Sequence, residues 1–176
     1  MEDSHQCRIG KSDTEVKWPS NLANTISSDS FAITDAHYGQ TSAIYQRKEC
    51  GFRQCNDLQD VLRFYEDLED QEYENGRKER YLQSIALLEE LKDLQPQGKL
   101  LDVGAGSGIL VEAAVEAGYE AEGLEPSIWL QEQAIERGLP IKKGILSDVS
   151  ETEQYDVITL IDVIEHVVDP ITLLKE

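Results

Sequence analysis

The feature that most constrains this chain is a glycine run, Asp102-Val103-Gly104-Ala105-Gly106-Ser107-Gly108, at the end of a short apolar stretch and opening a helical one. Glycines at such a junction let the backbone turn sharply from strand to helix. They also let a ligand lie against the main chain with no Cβ in the way. The surrounding pattern repeats strand then helix. KLLDVGAG (99–106) is followed by the helical SGILVEAAVEAG, closed by Gly118. YEAEGLEP (119–126) is a second strand, and Ser127 caps a helix IWLQEQAIERG closed by Gly138. LPIKKGILSD supplies a weaker third strand and YDVITLIDV (155–163) a strongly apolar fourth. Asp169-Pro170 reads as N-cap and first-turn proline of a further helix, ITLLKE. Strands alternating with helices predict an α/β fold, a Rossmann-like doubly wound parallel sheet of about four strands.

Two cofactor classes use such a loop. A dinucleotide site takes its third glycine three residues after the second, where this chain has Ile109, and it does not call for an acid at Asp102. A nicotinamide-dependent oxidoreductase is therefore the poorer match. The spacing D-x-G-x-G-x-G instead resembles the first motif of class I methyltransferases that use S-adenosyl-L-methionine. The segment from Asp162 through Glu165-His166-Val167-Val168-Asp169-Pro170 resembles the turn after the fourth strand in the small-molecule branch of that family. The resemblance covers about residues 78–176.

The resemblance implies S-adenosyl-L-methionine as cofactor, held by Asp102, Gly104, Ala105, Gly106 and Gly108. Glu125, at the end of the second strand, is expected to accept hydrogen bonds from both ribose hydroxyls. Asp148 is expected either against the adenine amino group or as a cap for the turn after it. Asp162 stands either beside the methionine end or as a simple strand terminator. Trp129 is expected on the core or helix face rather than beside the adenine. His166 is the candidate catalytic residue, a base for the proton of an acceptor hydroxyl, against the alternative that Glu165 and His166 only position the turn.

The first 98 residues are organised differently. Residues 1–56 form a Ser/Thr/Asn/Asp-rich segment with a possible strand at 41–47. Residues 57–98 form a helical lead-in, and 99–176 form the first half of the cofactor core. Leu58, Val61, Leu62, Tyr65 and Leu68 mark one helix, and Leu82, Ile85, Leu88 and Leu91 a second, ending before Pro96. The charged stretch EDQEYENGRKER between them reads as an exposed connection, with Tyr73, Arg77 and Arg80 expected as solvated linker residues rather than as residues that close over the cofactor. Residues 1–77 resemble the small zinc module of two C-x-x-C pairs that many methyltransferases of this branch carry. Here the pairs read Ser4-x-x-Cys7 and Arg47-x-x-Cys50, each without its first cysteine. Arg47 cannot ligate zinc, and His5 and Cys55 are poorly spaced to substitute, so no metal is assigned and a metal-free relic is expected.

Composition narrows the partners. With 16 basic and 35 acidic residues the formal charge is −19, which opposes nucleic acid or an anionic membrane as partner. Three cysteines, no apolar run of membrane-spanning length and a polar N-terminus point to a cytoplasmic protein, and the resemblance implies a small-molecule acceptor. A complete core of this family has seven strands, and the sequence supplies four. That leaves a rival expectation, a truncated, non-catalytic cofactor-binding or interaction protein.

Overall fold

The computed structural model describes residues 6–7, 9–10, 12–22, 28–31, 41–55, 61–167 and 169–175. Ser4, His5, Leu58 and Val168 lie outside these residues. The described N-terminal part holds a three-stranded antiparallel sheet of β1 (Thr14–Trp18), β2 (Ile44–Arg47) and β3 (Arg53–Cys55), in that order. The strand expected at 41–47 is thus present as β2, and β1 forms within a stretch whose composition predicts only loop or short extended pieces. A small turn precedes β1, with Gln6 bridged to Asp13 and the Cys7 N–H donating to the Ser12 carbonyl at 2.9 Å.

Three helices follow: α1 (Val61–Glu66), α2 (Gln71–Asn75) and α3 (Arg77–Lys92). Here the sequence expectation fails, because EDQEYENGRKER is not an exposed connection. It contains α2 and the first turn of α3, and Asp70, 4% exposed, caps α2 by accepting from the Tyr73 N–H at 2.9 Å. Tertiary contacts to the glycine loop, described below, outweigh the polarity of the stretch.

The second half is the expected α/β unit: β4 (Lys99–Val103), α4 (Ile109–Glu116), β5 (Glu120–Glu125), α5 (Ile128–Glu136), β6 (Ile141–Lys143), β7 (Val157–Thr159) and α6 (Pro170–Leu173). The four strands are parallel in the order β6-β5-β4-β7. The chain steps outward from β4 to β6, then returns to the other side of β4, so the crevice at the carboxyl ends opens between β4 and β7. Ser127 caps α5 by accepting from the Leu130 N–H at 3.0 Å. Asp169 caps α6 with bonds from the Ile171 and Thr172 N–H groups. Gly118 and Gly138 end α4 and α5 with φ of +97° and +73°.

One face of the sheet is well filled. Leu88 of α3, Val111, Ala113 and Ala114 of α4 and Ala134 of α5 pack on Leu100, Ala121 and Ile141, with Tyr119 closing the end. The opposite face buries Leu101, Val103 and Leu124 under the partly exposed Leu146, Val149, Tyr155 and Leu160, which lie outside any described α-helix. The fourth strand is shorter than YDVITLIDV suggests. After Thr159 the chain leaves the sheet, and Asp162 takes φ +53°, a left-handed conformation that no extended strand can contain.

Candidate active site

The carboxyl ends of β4 and β5 each carry a buried acid. The Gly104 and Ala105 N–H groups both donate to the Leu124 carbonyl at 2.9 Å, which anchors the glycine loop to β5. Glu125, 5% exposed, then ties the same two elements from its side chain. Its Oε2 accepts from the Gly106 N–H and its Oε1 from the Ser127 N–H, each at 2.7 Å. Asp102, 4% exposed, accepts at 2.7 Å from the hydroxyl of Thr159, its register partner on β7. Burial raises both carboxyls, Glu125 to about 7 and Asp102 to about 6. The backbone N–H groups and the Thr159 hydroxyl oppose the rise but do not cancel it.

Two glycines of the loop are required by close approach as well as by positive φ. A Cβ on Gly104 (φ +73°) would stand 2.6 Å from Val163 Cγ2 of the turn after β7. A Cβ on Gly106 (φ +55°) would stand 2.6 Å from the Tyr73 hydroxyl. The loop is therefore overlaid from two directions, by the 161–166 turn and by α2.

The second overlay is the alternative that sequence reasoning placed below solvated linker residues. The segment 68–77 is strapped across the carboxyl edge of the sheet. The Ser127 hydroxyl donates to the Leu68 carbonyl at 2.7 Å, and Arg137 of the turn after α5 pairs with Glu74 at 2.6 Å. Arg77 donates to the Ser107 hydroxyl (2.9 Å) and carbonyl (3.3 Å), and pairs with Glu112 of α4. Tyr73 lies beneath the guanidinium of Arg80, 4.5 Å from the ring centroid, and burial holds its phenol protonated far above the physiological range. Tyr73, Arg77 and Arg80 are parts of the site's wall rather than solvated linker residues. The sequence clue was the Tyr/Arg spacing, masked by the eight charged residues among the twelve of the stretch.

The remaining candidates are less concentrated. Asp148 is exposed and closes a 3₁₀ turn at Leu146–Asp148 by accepting from the Ile145 N–H at 2.9 Å, so it caps the turn that ends on it rather than the one after it. Trp129 is half-buried on α5. Asp162 is exposed in its left-handed conformation beside Val163. His166 is exposed in the same turn, edge-on to Tyr65 of α1 with ring centroids 5.9 Å apart. Burial, and then Glu165, push the Tyr65 phenol up to about 12.

The chemistry of this donor set fits an adenosyl cofactor. Each Glu125 oxygen spends one acceptor position on a backbone N–H and keeps another for a ribose hydroxyl. The loop beside it lies close under Tyr73 only because Gly106 lacks a Cβ.

Fold and loop together define a Rossmann-like nucleoside-cofactor protein. Over residues 73–176, more than half of the chain, the sequence matches a family model described as a methyltransferase domain, and the chain belongs to that family. The family and the fold imply S-adenosyl-L-methionine as cofactor. Among curated relatives, the chain is similar to the ubiquinone biosynthesis O-methyltransferase of Haemophilus ducreyi, 36% identical over 89 residues, covering 44% of this chain and 38% of the relative. The protein of the same description from Proteus mirabilis is 36% identical over 85 residues, covering 44% and 35%. The chain thus spans less than two fifths of the length of these relatives. A solved structure from Thermotoga maritima, described as a SAM-dependent methyltransferase and possible histamine N-methyltransferase, is 29% identical with a TM-score of 0.46, covering 59% of this chain and 49% of that one.

Proposed function

We propose that this protein binds S-adenosyl-L-methionine and transfers its methyl group to a small-molecule acceptor, with a hydroxyl as the favoured nucleophile. The observation that carries this is the Glu125 carboxylate, buried and bonded at 2.7 Å to the Gly106 N–H, which makes ribose acid and glycine loop one rigid unit. Gly104, Ala105, Gly106 and Gly108 form the floor for the cofactor, with Asp102 beneath it. Tyr73 roofs the loop at Gly106. Asp148 and Asp162 are assigned to the adenine and methionine ends on their positions after β6 and β7. The relatives' description as O-methyltransferases supports a hydroxyl acceptor. When bound, S-adenosyl-L-methionine supplies a methyl carbon on a cationic sulfur that leaves as a neutral thioether. What the protein must add is alignment, exclusion of water and a place for the acceptor's proton. His166, exposed in the turn after β7, is the candidate to take that proton as the new O–C bond forms.

The same proposal divides the chain into a module at 1–56, a lead-in at 57–98 and the cofactor core at 99–176, with a cytoplasmic setting that its three free cysteines support. Among the described residues, no helix is long and apolar enough to cross a membrane. Calorimetric titration with S-adenosylhomocysteine tests the cofactor assignment. The native chain should bind, and Glu125→Ala should bind at least about tenfold more weakly, the loss of two charge-assisted hydrogen bonds to ribose. Binding of a nicotinamide dinucleotide with no binding of the adenosyl ligand overturns the assignment.

A further inference from the structure

The N-terminal module resembles a zinc module, yet its residues do not fit zinc. A closed tetrahedral site needs four soft or imidazole ligands, and one of the four expected positions is Arg47. No group of three or more His, Cys, Asp or Glu among the described residues is placed to hold a metal. Two turns of the kind that would flank such an ion are nevertheless present. One runs from Cys7 to Ser12 and is closed by the Cys7 N–H to the Ser12 carbonyl. The other joins β2 to β3. It is closed by the Gly51 N–H to the Arg47 carbonyl at 2.9 Å and by the Arg47 N–H to the Phe52 carbonyl at 2.8 Å, with Gly51 at φ +74°.

The Arg47 side chain bridges the two turns. Its backbone pairs with Thr14 at the start of β1, and its guanidinium reaches the tip of the first turn. A Cβ on Gly10 would fall 2.0 Å from Arg47 Nη1 and 2.4 Å from Cζ, so the first turn closes over the guanidinium and Gly10 is what makes room for it. The side chain is only 18% exposed, and Cys7 is fully buried. Arg47 is ion-paired with Glu49 of its own turn. That hydrogen bond raises the guanidinium's pKa against the opposing effect of burial, with smaller contributions from Glu49, Cys50 and Cys7. Gln54 Nε2 adds a bond to the Gln6 carbonyl at 3.0 Å, sewing the first turn to β3.

We propose that Arg47 does here what zinc does in the module this segment resembles: its guanidinium is a built-in cation that ties the 47–51 turn to the 7–12 turn, and the module holds together without metal. The charge balance agrees. A zinc ion is a dication that thiolates must balance, whereas the Arg47 guanidinium is balanced by the Glu49 carboxylate of its own turn.

Two measurements on the full chain test this. Metal analysis after expression with added zinc should give far less than one zinc per chain, and a chelator should leave hydrogen exchange of residues 6–18 unchanged. Stoichiometric zinc whose removal loosens those residues overturns the proposal. Arg47→Met should speed exchange across 6–13 by about tenfold, with Arg47→Lys between it and the native chain, while the 99–143 core keeps its protection. Unchanged exchange in Arg47→Met overturns it as well. The paired change Ser4→Cys with Arg47→Cys should restore uptake of about one cobalt(II) with a thiolate charge-transfer band. Failure to take up cobalt would show that these turns are not a metal-module frame.

Discussion

At the scale of single residues, the two buried acids set how the site responds to pH. Folding raises Asp102 from 3.8 to about 6 and Glu125 from 4.5 to about 7, so the native chain holds more protons than the unfolded one across that window. Their joint contribution to stability is therefore greatest below about pH 4 and falls as pH rises towards 7. Glu125→Gln should flatten the upper half of that fall in a denaturant midpoint measured from pH 4 to 8. Ribose hydroxyls donate best to an ionised carboxylate, and at pH 6 only about a tenth of a group with a pKa of about 7 is ionised. Affinity for S-adenosylhomocysteine should accordingly tighten about tenfold between pH 6 and pH 8. A flat calorimetric profile in the native chain would remove Glu125 from ribose binding. Gly106 is the complementary case. Gly106→Ala adds a Cβ at φ +55° and 2.6 Å from the Tyr73 hydroxyl, so it should lower cofactor affinity by at least about tenfold. Pairing it with Tyr73→Ala removes the clash but not the backbone cost and should recover only part of the loss.

Elements show where sequence was sufficient and where it was not. The glycine loop, the Ser127 and Asp169 caps and the Gly118 and Gly138 stops were legible because each is fixed within a few residues by φ or by one side-chain hydrogen bond. The strap at 68–77 was not legible, because what orders it lies 30 to 63 residues away: Ser107 for Arg77, Leu68 paired with Ser127, and Arg137 for Glu74. Local polarity pointed to solvent, and long-range pairing prevailed. The end of the fourth strand failed for a related reason, since Leu160 and Ile161 carry strand propensity while Val163 is drawn over Gly104. Two substitutions separate the strap's roles. Ser127→Ala removes both the α5 cap and the bond to Leu68, and should cost about 1–2 kcal/mol in chemical denaturation. Tyr73→Phe should leave that midpoint within about 0.5 kcal/mol, because no described residue accepts from its hydroxyl. If the Tyr73 hydroxyl contacts the cofactor over Gly106, the same variant should weaken S-adenosylhomocysteine several-fold at that unchanged stability.

For the molecule as a whole, the sheet's two outer edges are unequally protected. β6 presents Lys142 and Lys143, both exposed, a charged edge that discourages pairing with another strand. β7 offers no such charge: Ile158 is 50% exposed, and the turn beyond it leaves Ile161 and Ile164 at 48% and 40%. These three side chains belong to β7 and the turn that carries Asp162 and His166, so apolar exposure and the proposed acceptor side of the site share one stretch of chain. A net charge of −19 keeps chains apart at low ionic strength, but its repulsion is screened within about 8 Å at physiological salt. Self-association through β7 should therefore rise with salt, the opposite of what ion pairing between chains would give. Ile158→Lys should suppress it, in light scattering at matched concentrations from low salt to 0.5 M sodium chloride. The substitution leaves the glycine loop and Glu125 untouched, so affinity for S-adenosylhomocysteine should hold. Association that falls with salt, or that Ile158→Lys does not change, would place the contact on another surface.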